Sequence, residues 1–365
     1  MLNKLKSLSP DSKNKFKIYA TVIAAYVVMQ LAVSFNLLSH AMRGFLVPIC
    51  AYIVMAVSLN LTVGIMGELS LGHAGFMSVG AYTGVIACAV LKNIVPFAPL
   101  RLALAIVIGG LCAAAVSFIV VVPVLRLQGD YLAIVTLAFG EIIKNIIQCM
   151  YVGIDANGLH ISMSSEAELG LAADGKIIIR GPMGAVGIEK MSSLLAGFIL
   201  VMITLFIILN LISSRHGRAI MALRDNRIAA QSLGISPVRY RVIAFCLSAM
   251  FAGMAGTLYA MNYSSLLASK FDFNTSILVL VFVVLGGLGN MLGSIVAAAA
   301  LTILPEALRE FADYRMLVYA IVLILVMLAT NSPILKNLWA KITLIPAVDK
   351  LLAKLPKSRK AGDAA

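Results

Sequence analysis

Ser193-Leu-Leu-Ala-Gly-Phe-Ile-Leu-Val-Met-Ile-Thr-Leu-Phe-Ile-Ile-Leu-Asn-Leu-Ile-Ser213 runs for 21 residues without one charged side chain. As a helix it reaches about 31 Å, enough to cross the hydrocarbon core of a bilayer. It has no polar stripe to turn toward water, so it cannot be a surface helix of a soluble fold. Working outward, comparable apolar segments lie at about 18–35, 43–66, 75–91, 100–125, 131–148, 241–261, 275–304 and 314–331. Only 12% of the 365 residues are charged, against about 25% in an ordinary soluble domain. The expected class is all-α, a polytopic membrane protein of about ten transmembrane helices including broken or re-entrant segments.

The net charge of +13 does not imply a nucleic-acid partner, because the basic residues gather in two tails and one loop. That clustering is the positive-inside pattern, with membrane lipid as the neighbour. Residues 1–17 carry Lys4, Lys6, Lys13, Lys15 and Lys17 against Asp11 and read as a basic cytoplasmic tail. Residues 18–331 form the membrane domain. Within it, the 214–240 loop and the adjoining Arg241 hold six arginines against Asp225 and belong on the cytoplasmic side. The 149–192 insertion carries five acids against Lys176, Arg180 and Lys190 and belongs outside. Residues 332–365 are again basic, so both termini are expected in the cytoplasm of a bacterial cell, in a multi-pass protein of the inner membrane. The apolar stretch after the N-terminal lysines is too long for a signal core and reads as a retained first helix. The five cysteines, Cys50, Cys88, Cys112, Cys149 and Cys246, show no metal-ligand spacing and read as small buried hydrophobes.

Nine crossings would leave the basic C-terminal tail outside, so an even count is needed. Leu285-Gly-Gly-Leu-Gly-Asn-Met-Leu-Gly293 supplies it by interrupting the 275–304 segment with four glycines. Two short helices meeting there are expected; a single tilted helix with a glycine bend is the other arrangement. A second interruption, Gly64-Ile-Met-Gly-Glu-Leu-Ser-Leu-Gly-His-Ala-Gly75, lies in the first half. Paired broken helices mark a substrate path, because they expose backbone amides and carbonyls, although close packing at small residues explains glycine equally well. The candidate path residues are Gly67, Ser70, Gly72, His73, Thr136, Glu141, Gly287 and Gly289. His73 reads as a hydrogen-bonded packing group rather than a proton carrier. Ser70 and Thr136 are more readily bonded to helix carbonyls than to cargo. Glu141 and Lys144 share a helix face and are expected to pair near the outer headgroups.

Gly217-Arg-Ala-Ile-Met-Ala-Leu-Arg-Asp-Asn-Arg-Ile-Ala-Ala-Gln-Ser-Leu-Gly234-Ile-Ser-Pro237 has Ile220, Leu223, Ala230 and Leu233 at helical spacing. One short helix is expected, stopped at Gly234, with Ser236 and Pro237 as the cap and first turn of the next. Set between two spans, such a helix can transmit a push from a soluble motor or lie in the headgroups on anionic lipid. The residues alone leave both open.

Within this stretch, Ala229-Ala230-x-x-x-Gly234 resembles the coupling loop of ATP-binding-cassette importer permeases. Leu59-Asn-Leu-Thr-Val-Gly-x-x-Gly67, Ser70-Leu-Gly-His-Ala-Gly-Phe76, Gly129-Asp-Tyr-Leu-Ala-Ile-Val-Thr-Leu-Ala-Phe-Gly140 and Val284-Leu-Gly-Gly-Leu-Gly-Asn290 resemble the LivM-type permeases of branched-chain amino-acid importers. The resemblance covers most of the chain and departs from the importer motif at Asn226 and Gln231, where relatives often have acids. It implies an alternating-access permease served by a LivH-like second permease, two cytoplasmic ATPase subunits and an extracytoplasmic solute-binding protein. Arg218, Arg224, Asp225, Ala229, Ala230 and Gly234 would then form the ATPase-coupling loop. The chain has no phosphate-binding loop of its own, so no enzyme activity, cofactor or metal site is expected here, with ATP and Mg on the partner subunits. Permeases for urea or short amides are of the same kind, so cargo stays open. An ion-coupled secondary transporter is the alternative machine, and it has Glu141 as its only serious mid-membrane acid. A membrane-embedded enzyme would need a catalytic cluster that the sequence does not contain.

Overall fold

The structure, a computed structural model, describes residues 10–36, 40–92, 94–124, 129–155, 158–171 and 175–307, and single positions at 317, 320, 321 and 324. Residues 1–306 form one compact unit, to which the description below applies. Apart from those four positions the expected 314–331 span lies outside the described residues, as do the first nine residues and the 332–365 tail.

Helix α1 spans Pro10–Ser34, so it begins inside the basic tail rather than at residue 18. Helix α2 spans His40–Asn60 and continues into a π-helical turn at Leu61–Met66. Then follow α3 (His73–Leu91), α4 (Ala98–Val124), α5 (Asp130–Gln148) and α6 (Leu194–Ser213). The arginine-rich stretch holds α7 (Arg215–Asp225) and α8 (Arg227–Ser232), and α9 (Pro237–Ala260) leads away from it. Helices α10 (Phe273–Gly286) and α11 (Met291–Ala307) complete the unit. Among the described residues six helices, α1 to α4, α6 and α9, are long and apolar enough to cross a membrane, α2 together with its π turn. Helix α10 reaches only about 21 Å, short of a full crossing. The glycine interruption therefore does split the 275–304 segment. Its turn uses Gly287 at φ +92° and Gly289 at φ +81°, which side chains with a Cβ rarely adopt.

Helices α3, α4 and α9 form the tightest part of the core. Lipid tails are as apolar as leucine, so these helices gain by close approach rather than by escaping water. Small residues supply that approach. A Cβ at Gly80 would overlap the backbone of Gly253, and one at Gly253 would lie 2.8 Å from the Gly109 carbonyl. Thr257 fixes the crossing by donating its hydroxyl to the Gly80 carbonyl at 2.7 Å. The opposite side of α4 leaves Leu111, Phe118 and Ile119 exposed, an apolar face of the kind that lipid covers. Gly80→Ala is expected to lower stability in detergent by about 1–3 kcal/mol through overpacking. The control is Gly44→Ala, where a Cβ meets nothing within 4 Å. Thermal unfolding of both purified variants checks this, and equal melting temperatures would contradict the packing.

The 149–192 insertion folds into structure that the polar composition alone did not reveal. Strands β1 (Tyr151–Asp155), β2 (Gly158–Ser162), β3 (Lys176–Arg180), β4 (Ala185–Val186) and β5 (Ser265–Leu266) make one antiparallel sheet, in the order β2-β1-β3-β4-β5. β5 follows α9, so the sheet ties the insertion to the end of that helix. At the same end Glu189 pairs with Lys92 and with buried Arg101, the latter at 2.6 Å. The hydrogen bond from Lys92 and the nearby Arg101 hold the Glu189 carboxyl below the usual range, against the opposing effect of burial. The cysteines meet expectation only in part: Cys50 and Cys88 are buried, Cys112 and Cys246 are half-buried, and Cys149, at the end of α5, is exposed.

Candidate functional site

The break in the first half begins where α2 widens into the π turn. The amides of Gly67 and Glu68 both donate to the Thr62 carbonyl, the latter at 3.1 Å, and Gly67 turns left-handed at φ +78°. The chain then runs without regular structure to His73, where α3 starts. Helix α5 braces this open stretch. Thr136 accepts the Leu71 amide at 3.1 Å and returns its own proton to the Ala133 carbonyl at 2.9 Å. A Cβ at Gly75 would lie 2.7 Å from the Gly140 Cα, so α3 and α5 meet at backbone contact. Gly72 fits equally closely against the Thr136 carbonyl.

The two interruptions lie against each other. Asn60 accepts the Gly289 amide at 2.8 Å and donates to the Ser294 hydroxyl at 2.9 Å. A Cβ at Gly64 would overlap the Gly289 nitrogen. The result is a seam between the π turn and the α10–α11 turn, with glycine backbone on both sides and one buried asparagine holding it.

Where the broken stretch ends, His73 is buried and bonded to the Ser58 hydroxyl at 2.9 Å, and Ser248 donates to the Ser58 carbonyl at 2.6 Å. The Ala74 amide donates to Ser276 of α10 at 3.2 Å. Ser70 is buried, and its hydroxyl has no partner among the described residues. Glu141 stands apart from this group. It pairs with Lys144 and accepts the Phe273 amide at 3.0 Å, anchoring the first residue of α10 at the sheet end of the molecule.

At the other end, the arginine-rich stretch is two helices rather than the one expected. Asn226 leaves the helical region and caps α8 by accepting the Ala229 amide at 3.0 Å. Ser214 caps α7 in the same way through the Gly217 amide at 3.3 Å. Because the helix restarts at Asn226, the apolar spacing does not carry through. Ile220 and Ala230 are buried, whereas Leu233 is 80% exposed. Gly234 makes the expected left-handed stop at φ +82°. Ser236 occupies the cap position of α9 with Pro237 next, but its side chain makes no cap hydrogen bond.

The six expected coupling residues point different ways. Arg218 folds back on the Ser213 carbonyl at 3.1 Å, and Asp225 and Ala229 are exposed. Arg224 reaches inward and donates to the Gly64 carbonyl at 2.9 Å. Just beyond the π turn, Glu68 pairs with Arg241 of α9, both side chains largely buried. Sequence reading missed Asn60, Ser58, Glu68 and Arg241. An asparagine within an otherwise apolar span was the available signal for Asn60, since a polar group there needs a partner. Nothing local pairs Glu68 with a residue so far along the chain. What these parts make together is mechanical: an arginine-rich segment joined to a helix break, and that break joined to a second one.

The chain matches the family model described as branched-chain amino acid transport system / permease component over residues 41–327. It is 38% identical over 287 residues to the high-affinity branched-chain amino acid transport system permease protein LivM of Escherichia coli (strain K12). It is 37% identical over the same length to the LivM of Salmonella typhimurium. Each match covers 76% of this chain and 66% of the relative, so the chain spans just under two thirds of those two proteins. A probable branched-chain amino acid transport permease protein LivM of Methanocaldococcus jannaschii is 23% identical over 276 residues, covering 66% of this chain and 74% of that protein. No solved structure matches. This chain belongs to the family of permease components of branched-chain amino acid transport systems.

Proposed function

We propose that this chain is the permease subunit of an ATP-binding-cassette importer that carries branched-chain amino acids across the bacterial cytoplasmic membrane by alternating access. In this reading a LivH-like second permease completes the path, and a binding protein delivers the solute at the sheet end. Two ATPase subunits, holding ATP and Mg, act on α7 and α8 from the cytoplasm, where both termini also lie. Family membership supports the machine, and the names of the relatives support the cargo. The observation that carries the reading is the joint between the arginine-rich segment and the paired helix breaks, through Arg224 and Gly64. An ion-driven carrier would want an acid in the path, but Glu141 is tied to Lys144 and to the start of α10.

Reconstitution with and without the ATPase subunits tests it, following labelled leucine and urea with the matching binding protein outside. ATP- and partner-dependent leucine entry is the expected result. Urea entry alone would change the cargo, and entry under an ion gradient without partners would overturn the machine. The coupling role of α8 has its own test. Ala230 is 2% exposed, so Ala230→Glu forces a carboxylate against the permease body, and uptake is expected to fall at least about tenfold. Gly234→Pro should act alike, since proline cannot adopt φ +82°. Both proteins should still reach the membrane; normal uptake by both would remove α8 from the coupling path.

A further inference from the structure

The guanidinium of Arg224 has an unusual acceptor. In a continuous α-helix the Gly64 carbonyl would receive the Glu68 amide, but that amide goes to Thr62 instead, because the helix has widened into a π turn. Arg224 donates to Gly64 through Nη1 at 2.9 Å. Its other nitrogens, Nε and Nη2, both donate to Asp225 at 3.2 Å, which fixes the plane of the fork. Its methylenes lie on Gly67, where a Cβ would come within 2.6 Å of the Arg224 Cγ. Thus one side chain from α7 both caps and covers the break.

Gly64 in turn sits against Gly289, and Asn60, one turn earlier, holds the Gly289 amide. There are no side chains between the two backbones to absorb a displacement, and packed interiors shift between discrete arrangements rather than deforming smoothly. We propose that Arg224 is a positioning residue that ties the coupling segment to the glycine seam, so that motion of α7 is delivered to the junction of Gly64 and Gly289. Arg224 keeps 40% of its side chain exposed, but the bond it makes from Nη1 is directed at the permease body. The proposal rests on the importer reading above. It assigns to Arg224 the transfer of the push within this subunit, distinct from the docking of an ATPase.

A docking or folding role and a transmission role differ in one ratio, the ATP hydrolysed per solute imported. The full complex, with second permease, ATPases and binding protein, is reconstituted, and ATP hydrolysis and labelled leucine uptake are followed in the same vesicles. Losing a charge-assisted hydrogen bond should raise that ratio at least about tenfold in Arg224→Ala. Arg224→Lys keeps methylenes over Gly67 and a donor, and should bring the ratio most of the way back. Arg227→Ala, on the same segment but without a bond to the seam, should leave it at the wild-type value. An unchanged ratio in Arg224→Ala, or hydrolysis and uptake falling in step, overturns the proposal. A wild-type complex that imports no leucine with ATP overturns the importer reading itself.

Discussion

Gly64→Val is expected to abolish leucine uptake, lowering it at least about a hundredfold, while the protein still inserts in the membrane. The reason is geometric. The Cβ of residue 64 would occupy the place of the Asn60 side-chain oxygen and the Gly289 nitrogen, and the Gly289 Cα lies 2.9 Å away. Two of these three atoms are backbone in a turn that is itself constrained by two positive φ angles. The seam must therefore open. Opening it breaks the Asn60 to Gly289 hydrogen bond and leaves the part-buried Gly289 amide and the buried Asn60 oxygen unpaired, which costs about 1–3 kcal/mol. Overpacking adds about as much. Asn60→Ala separates the two contributions, since it removes the hydrogen bond without adding bulk, and should show the smaller loss. Uptake is measured against the amount of protein in the membrane, and melting of the purified subunit reports the structural part. Wild-type uptake by Gly64→Val would mean that the seam does not lie closed at this contact.

The contrast between Gly64 and the rest of its neighbourhood shows what was legible beforehand. Both glycine interruptions stand out in the sequence, because four glycines in twelve residues at 64–75 and four in nine at 285–293 are hard to reconcile with an uninterrupted span. That they touch was not legible, since the contact joins segments far apart in sequence through backbone atoms that leave no side-chain signature. The arginine-rich stretch shows the opposite failure. Its apolar spacing was real, but a spacing argument assumes a continuous helix, and Asn226 competes with it by capping a new one. The sheet was hidden for a different reason. Its strands are at most five residues long, and β5 lies outside the insertion altogether. Short strands stabilised by one another carry almost no local pattern. Six of the expected spans were legible because a bilayer imposes a length and a composition on them, whereas the 131–148 segment, which carries Glu141 and Lys144, is not among the helices apolar enough to cross.

Arg241→Ala is the second change expected to have a large effect, through the charge it leaves behind. The Glu68 and Arg241 side chains are 15% and 9% exposed. The second carboxylate oxygen of Glu68 is already buried without a hydrogen-bond partner among the described residues. Removing the arginine leaves a carboxylate in a poorly solvated place, a loss of about 3–5 kcal/mol when a buried pair is broken from one side. Glu68→Gln should cost less, because the amide keeps the shape and an acceptor for Arg241. The double variant Glu68→Gln with Arg241→Gln should be more stable than Arg241→Ala alone, since no lone charge remains. A double-mutant cycle on Glu68→Gln and Arg241→Gln, read by thermal unfolding in detergent, is expected to give a coupling of about 1–3 kcal/mol. Strict additivity would mean the two groups do not depend on each other. The pair joins the first residues after the π turn to the start of α9, as Arg224 joins the turn itself to α7. Breaking it should therefore also reduce uptake, by loosening the second of the two attachments between the helix break and the arginine-rich end.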